Sequence, residues 1–215
     1  MLHLGRRLTA LGERWGVQWL IENPLTFRYY HRLAAENAPA AASAFEAVFP
    51  EARTFVDVGA GSGAYAAELR RRGMTVVAYE YSPVGRAWAR AQGVDCRPLD
   101  LTADQPVAVR GRFDLAYSFE VAQQVDERLG MRLVDLLCPL AETVVFSSAQ
   151  PGQGGAGPRT LRPKQFWIDA FEARGMRHLP ALSERWVAEY AARGGSAYWL
   201  LENVAVFEPR RERSI

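Results

Sequence analysis

The segment Phe55–Gly63, FVDVGAGSG, constrains this chain more than any other. Phe55 to Val58 is a short apolar run carrying one acid, Asp57, and glycines follow at 59, 61 and 63. Ala64 to Arg72 then reads as a helix. A buried strand that enters a glycine turn and leaves as a helix lets backbone approach a ligand closely. The first helical turn also offers N–H groups with no partner inside the helix. Asp57 narrows the ligand, because a carboxylate beside the turn repels a pyrophosphate and suits an ammonium or a hydroxyl.

From residue 54 the pattern alternates. Strands are predicted at 54–58, 75–80, 94–97, 113–118, 143–148, 177–180 and 198–207, and helices at 62–72, 83–92, 127–138, 163–174 and 183–193. Strands alternating with helices require parallel crossovers, hence an α/β, doubly wound sheet. Residues 5–49 read as helices broken at Pro24 and Pro39, with the aromatic-rich stretch WGVQWLIENPLTFRYYHRL between them and around them. The segment 149–162, AQPGQGGAGPRTLR, is a long glycine-rich loop of the kind that carries function in a compact domain.

At 215 residues and 49% hydrophobic content, one domain with a sizeable core is expected. Its parts are a helical lid at 1–49, a sheet core at 50–207 and a basic tail at 208–215. A net charge of +2 with no basic aromatic platform weighs against a nucleic-acid partner. Cys96 and Cys138 are unclustered, and His3, His31 and His178 are far apart, so neither a disulfide framework nor a metal site is expected. No apolar run approaches the ~20 residues of a membrane span. No signal peptide is evident. The expectation is a cytoplasmic protein with no membrane partner, compatible with a homodimer.

In an open α/β sheet the ligand lies beyond the carboxyl ends of the strands. That rule gathers Gly59–Gly63, Glu80 and Tyr81, Asp100 and Leu101, Ser118–Glu120 and Gln150–Gly157. Glu80 stands where vicinal ribose hydroxyls could bind a carboxylate. Asp100 stands where one could accept from an adenine amino group. The turn alone also satisfies G-x-G-x-x-A, which admits a dinucleotide.

Taken in order, these segments resemble the class I S-adenosylmethionine-dependent methyltransferases, over residues 50–207. FVDVGAGSG resembles the family's first motif, Glu80 its ribose-binding acid, Tyr81 the residue beside the adenine, and Asp100 and Leu101 its adenine-edge position. FDLAYSFEV, residues 113–121, resembles the segment through the fourth strand. The resemblance implies a Rossmann-like seven-stranded sheet whose last strand is antiparallel, a place that YWLLENVAVF suits. It implies S-adenosylmethionine as cofactor, held by Asp57, Gly59, Ala60, Gly61, Glu80, Tyr81, Asp100, Leu101 and Ser118. Acids and aromatic faces would attract the cations of that donor.

On the acceptor side the pattern breaks. A subgroup of small-molecule methyltransferases carries E-V-A-E-H and P-G-Q-G-G-x-G-H-V-N after the fourth and fifth strands. This chain has Glu120-Val121-Ala122-Gln123-Gln124 and Pro151-Gly152-Gln153-Gly154-Gly155-Ala156-Gly157-Pro158. Gln124 and Pro158 stand in place of the two histidines, and Gln123 in place of an acid. Glu120, Gln124, His31 and Tyr30 are then the candidate catalytic residues. The expected function is methyl transfer to a small-molecule acceptor of specialised metabolism, by in-line displacement and without those histidines. Three rivals stand beside it. One is a non-catalytic S-adenosylmethionine-binding protein. Another is an NAD(P)-dependent oxidoreductase, against which Lys164 counts, since no tyrosine lies four residues before it. The last is a methyltransferase acting on protein or nucleic acid.

Overall fold

Along Phe55–Val58 every side chain is buried, which is the signature of a central strand covered on both faces. The computed structural model, which describes residues 24–103, 112–153 and 160–210, places that strand in the middle of a seven-stranded sheet. Helix α1 (Pro24–Val48) precedes β1 (Thr54–Val58). There follow α2 (Ala64–Arg71), β2 (Thr75–Glu80), α3 (Pro83–Ala91), β3 (Asp95–Pro98) and β4 (Phe113–Phe119). A 3₁₀ turn (Ala122–Gln124), α4 (Glu127–Leu137) and β5 (Ala141–Ser147) come next. The chain continues through α5 (Lys164–Glu172), β6 (Met176–His178), α6 (Pro180–Ala192), α7 (Tyr198–Asn203) and β7 (Ala205–Pro209).

The strand order is β3-β2-β1-β4-β5-β7-β6. Strands β1 to β5 pair in parallel, and β7 is antiparallel to both β5 and β6. This is the expected α/β, doubly wound sheet with its last strand reversed. One face is covered by α1, α2 and α6 through an aromatic cluster in which Phe45 packs on Phe55, Tyr117, Phe119 and Trp186. On the other face Trp167 and Phe171 of α5 pack on Phe146, and Phe171 stacks on Phe207 at 4.2 Å between ring centroids.

Three expectations are corrected. Pro39 does not break a helix: α1 runs through it. The run Ala38–Ala44 is almost free of solvent, apart from Pro39 and Ser43, where α1 meets α2 and α6. That tertiary burial outweighs the hydrogen bond that proline removes. The segment 198–207 is not one strand. Tyr198–Asn203 is helical and only Ala205 onward joins the sheet. A short apolar run such as YWLL suits either state. The buried Asn37 decides it, because its Oδ1 accepts from the N–H groups of Ser196 at 2.9 Å and Ala197 at 3.1 Å, fixing the entry into a helix. Glu208 and Pro209, assigned to a basic tail, are the end of β7. The proposed lid residues 1–23 and tail residues 211–215 lie outside the described residues. Among the described residues no helix is long and apolar enough to cross a membrane.

Candidate active site

The carboxyl ends of β1, β2 and β4 meet around the glycine turn. The N–H groups of Gly59 and Ala60 both donate to the Tyr79 carbonyl, at 2.7 and 3.0 Å, which pins the turn to the end of β2. Gly59 (φ 84°) and Gly61 (φ 55°) lie in the left-handed region, which favours glycine. Their surroundings differ. A Cβ on Gly59 would lie 2.3 Å from Val121 Cγ2, whereas one on Gly61 would meet nothing within 4 Å. Gly59 is therefore small because protein packs on it, whereas Gly61 has an open face.

Glu80 borders that open face. Its Oε2 accepts from the Gly61 N–H at 2.7 Å and its Oε1 from the Ser82 N–H at 2.7 Å. Backbone thus fixes both oxygens, and each keeps acceptor capacity for a hydroxyl. Asp57, two residues before the turn, is 3% exposed, and its Oδ2 has no hydrogen-bond partner. Burial pushes its carboxyl up to about 8; the Tyr117 phenol works against that shift and the Glu80 charge adds to it. A buried carboxyl oxygen without a donor is costly, and an incoming ammonium or N–H would satisfy it.

The remaining donor-side candidates fall along the same rim. Asp100 Oδ1 accepts from the Thr102 hydroxyl at 2.6 Å and the Thr102 N–H at 2.8 Å, which holds its carboxyl below the ordinary range and so ionised. Leu101 is buried, and its carbonyl accepts from Arg132 Nη1 at 2.9 Å. Tyr81 is 52% exposed, and its carbonyl accepts from Arg86. Ser118 is fully buried and donates to the Val58 carbonyl at 2.8 Å, stitching β4 to β1 just before the turn.

Of the four acceptor-side candidates, Glu120 is the one built into the end of the sheet. Glycines aside, it is the single described residue in the left-handed region, with φ 59°. Its N–H donates to the Ser147 carbonyl at 3.0 Å. Its carboxyl accepts from Gln123 Nε2 at 3.0 Å and Asn203 Nδ2 at 3.3 Å. Burial pushes that carboxyl up to about 7, and the neighbouring Asn203, Ser147 and Gln123 side chains oppose the shift. Gln123 is buried, and its Oε1 accepts from Ser148 Oγ at 3.1 Å, whereas Gln124 is exposed.

His31 is placed elsewhere. Its Nδ1 lies 3.0 Å from Ser62 Oγ and its ring 4.9 Å from that of Trp88, so it joins α1 to the donor turn and α3; burial lowers its pKa. Tyr30 is 42% exposed and packs on Tyr29 at 5.5 Å. In the glycine loop, Arg162 pairs with Glu127, and Pro158 lies outside the described residues. Sequence reasoning missed two members of the site. Gln123 was visible as the substituted acid of the E-V-A-E-H pattern but not distinguishable from Gln124. Asn203 was hidden by the reading of 198–207 as a strand.

These groups fit an S-adenosyl donor: an unsatisfied buried carboxyl oxygen at Asp57, an open glycine face at Gly61, a carboxylate aimed by two N–H groups at Glu80, and an ionised Asp100 beside Leu101. The comparisons with known proteins agree. A family profile described as a methyltransferase domain matches residues 56–132. No curated protein sequence matches. Among solved structures, the sugar N-methyltransferase KedS8 from Streptoalloteichus sp. is similar over 83% of this chain and 88% of its own, at 17% identity and a TM-score of 0.59. CalS10, a SAM-bound amino pentose methyltransferase from Micromonospora echinaspora involved in calicheamicin biosynthesis, is similar over 85% and 94%, at 16% identity and a TM-score of 0.60. A TehB-like SAM-dependent methyltransferase from Corynebacterium glutamicum covers 87% and 100%, at 18% identity and a TM-score of 0.61. At such identities the likeness is one of fold. The profile match spans the stretch from β1 into α4, which carries the glycine turn, Glu80 and Asp100.

Proposed function

We propose that the protein transfers a methyl group to a small-molecule acceptor, with Glu120 taking the proton that the acceptor releases. The observation that carries this reading is a buried carboxyl with no cationic neighbour among the described residues, one residue from the Val121 side chain that rests on the glycine turn. Asp57, Gly59, Ala60, Gly61, Glu80, Tyr81, Asp100, Leu101 and Ser118 form the donor side. S-adenosylmethionine supplies the methyl as a group on a sulfonium, whose carbon–sulfur bond breaks with its electron pair left on sulfur as the acceptor's bond to carbon forms. Glu120 needs to be ionised to accept a proton, and a pKa near the working pH suits it to do so. Gln123 and Asn203 donate to its oxygens and stabilise the anion. A base of this kind replaces the histidines whose places Gln124 and Pro158 take. The named activities of KedS8 and CalS10 support a small acceptor of specialised metabolism, with an amine among the classes to try first.

Two measurements test the reading. In calorimetric titration, S-adenosylmethionine and S-adenosylhomocysteine bind and NAD does not; binding of NAD alone would return the oxidoreductase reading. Release of S-adenosylhomocysteine is then followed over a panel of amines, phenols and carboxylic acids between pH 6 and 9. Turnover rises through about pH 7 in the wild type, while Glu120→Gln loses it and keeps donor binding. Binding with no turnover on any of the panel would favour a non-catalytic donor-binding protein.

A further inference from the structure

Among the described residues, the groups that act on the Glu120 carboxyl are the neutral side chains of Asn203, Ser147 and Gln123, with the buried Tyr65 phenol also within electrostatic reach. Its charge is thus governed by burial and by the direction in which amides point. Gln123 lies three residues away on the same segment. Asn203 comes from the far end of the chain, at the last residue of α7, and is 2% exposed.

The orientation of the Asn203 amide is fixed by a backbone donor. The Gln150 N–H donates to Gln153 Oε1 at 2.8 Å, and a backbone N–H cannot exchange its role. Gln153 must therefore present its carbonyl on that side. Asn203 pairs with the same amide in both directions: its Nδ2 donates to Gln153 Oε1 at 2.9 Å and its Oδ1 accepts from Gln153 Nε2 at 3.1 Å. Gln150 Nε2 adds a second donor to Oδ1 at 2.9 Å. With Oδ1 saturated by donors, the side of Asn203 that meets Glu120 is its N–H, at 3.3 Å. A flipped amide would set an oxygen against the carboxylate and N–H against N–H.

Resting on the assignment of Glu120 as the acceptor-side base, we infer that Asn203 is a positioning residue. It aims the Glu120 carboxyl, favours its charged form, and ties it to the start of the glycine loop through Gln150 and Gln153. The left-handed backbone at Glu120 agrees with this, since such a conformation persists only where surrounding contacts over-determine it.

The test is a carboxyl titration that needs no acceptor. Protein labelled with ¹³C at glutamate carboxyls is titrated by NMR, with the Glu120 signal assigned from its loss in Glu120→Gln. Asn203→Leu removes the donor and is expected to raise the Glu120 midpoint by roughly one to two units. Asn203→Asp keeps the shape, adds a negative charge and raises it as well, so the test stands if the leucine variant does not fold. The same displacement is expected in the pH profile of turnover on the amine, phenol and carboxylic acid panel, with donor affinity unchanged. A Glu120 midpoint that stays put in a folded Asn203 variant overturns the inference. A midpoint that moves, with turnover intact in Glu120→Gln, overturns the assignment of Glu120 as base and leaves Asn203 as the residue that sets its charge.

Discussion

Val121 fills the volume that a side chain on Gly59 would need: a Cβ there would stand 2.3 Å from Val121 Cγ2 and 2.9 Å from Cγ1. The donor turn and the acceptor segment therefore share one packing contact, one residue away from Glu120. Gly59→Ala meets two penalties, the left-handed φ at about 1–2 kcal/mol and overpacking at about 1–3 kcal/mol. Truncating Val121 removes only the second. In urea unfolding, Gly59→Ala is expected to lose at least 2 kcal/mol or so, and the Gly59→Ala/Val121→Ala pair to lose less than the sum of the single variants. Strict additivity would mean that Val121 yields freely and that the contact does not couple the two halves of the site.

Much of this was legible in the chain, and the reason is local. The strand-glycine-helix signal at 55–72 depends on near neighbours, as do the acids that end β2 and follow β3, so each could be placed from its own segment. Contacts made by distant segments were not legible. Asn37 sends the residues after Gly195 into a helix from more than 150 positions away, and so carries Asn203 to Glu120. Gln123 and Gln124 are chemically identical in sequence, and only the 3₁₀ turn at Ala122–Gln124 decides which of them is buried.

The donor side makes a separate prediction at Glu80. Both of its oxygens already accept from backbone N–H groups. In Glu80→Gln one of these N–H groups faces an NH₂, and the charge proposed to receive the ribose hydroxyls is gone. Loss of a hydrogen bond to a charged group is worth about 1.5–3 kcal/mol, so calorimetry should show S-adenosylmethionine bound roughly tenfold or more weakly. An unchanged dissociation constant would move the donor away from β2.

Asp57 gives the apo protein a pH dependence of definite sign. Its carboxyl titrates at about 8 when folded, against an ordinary 3.8. Between those values the folded state holds a proton that the unfolded chain has released. Stability is thus greatest below about pH 4 and falls toward pH 8, by at most about 1.4 kcal/mol per unit for this group. Glu120 adds a loss of the same sign between 4.5 and about 7. Urea midpoints at pH 5 and pH 8 should differ less in Asp57→Asn than in the wild type. Donor binding at pH 7 should also expel close to one proton if its ammonium meets this carboxyl. Binding enthalpies compared across buffers of different ionisation heat would reveal that release, and Asp57→Asn should abolish it.

Asn37 supports the acceptor side from a distance. Its Oδ1 accepts from the Tyr190 hydroxyl and from the N–H groups of Ser196 and Ala197, while its Nδ2 donates to the Leu33 carbonyl at 2.9 Å. One buried oxygen thus joins α1, α6 and the start of α7. Asn37→Leu leaves buried donors without an acceptor, each at about 1–3 kcal/mol, and releases the entry to the helix that ends at Asn203. The variant should lose at least 2 kcal/mol or so in urea unfolding and should also raise the Glu120 midpoint, though it touches neither Glu120 nor the donor turn. Asn37→Asp keeps the accepting oxygen and should be milder in both respects. If Asn37→Leu loses stability while the Glu120 midpoint holds, α7 is anchored well enough by its burial against β5 and α6, and the link from Asn37 to the carboxyl is broken.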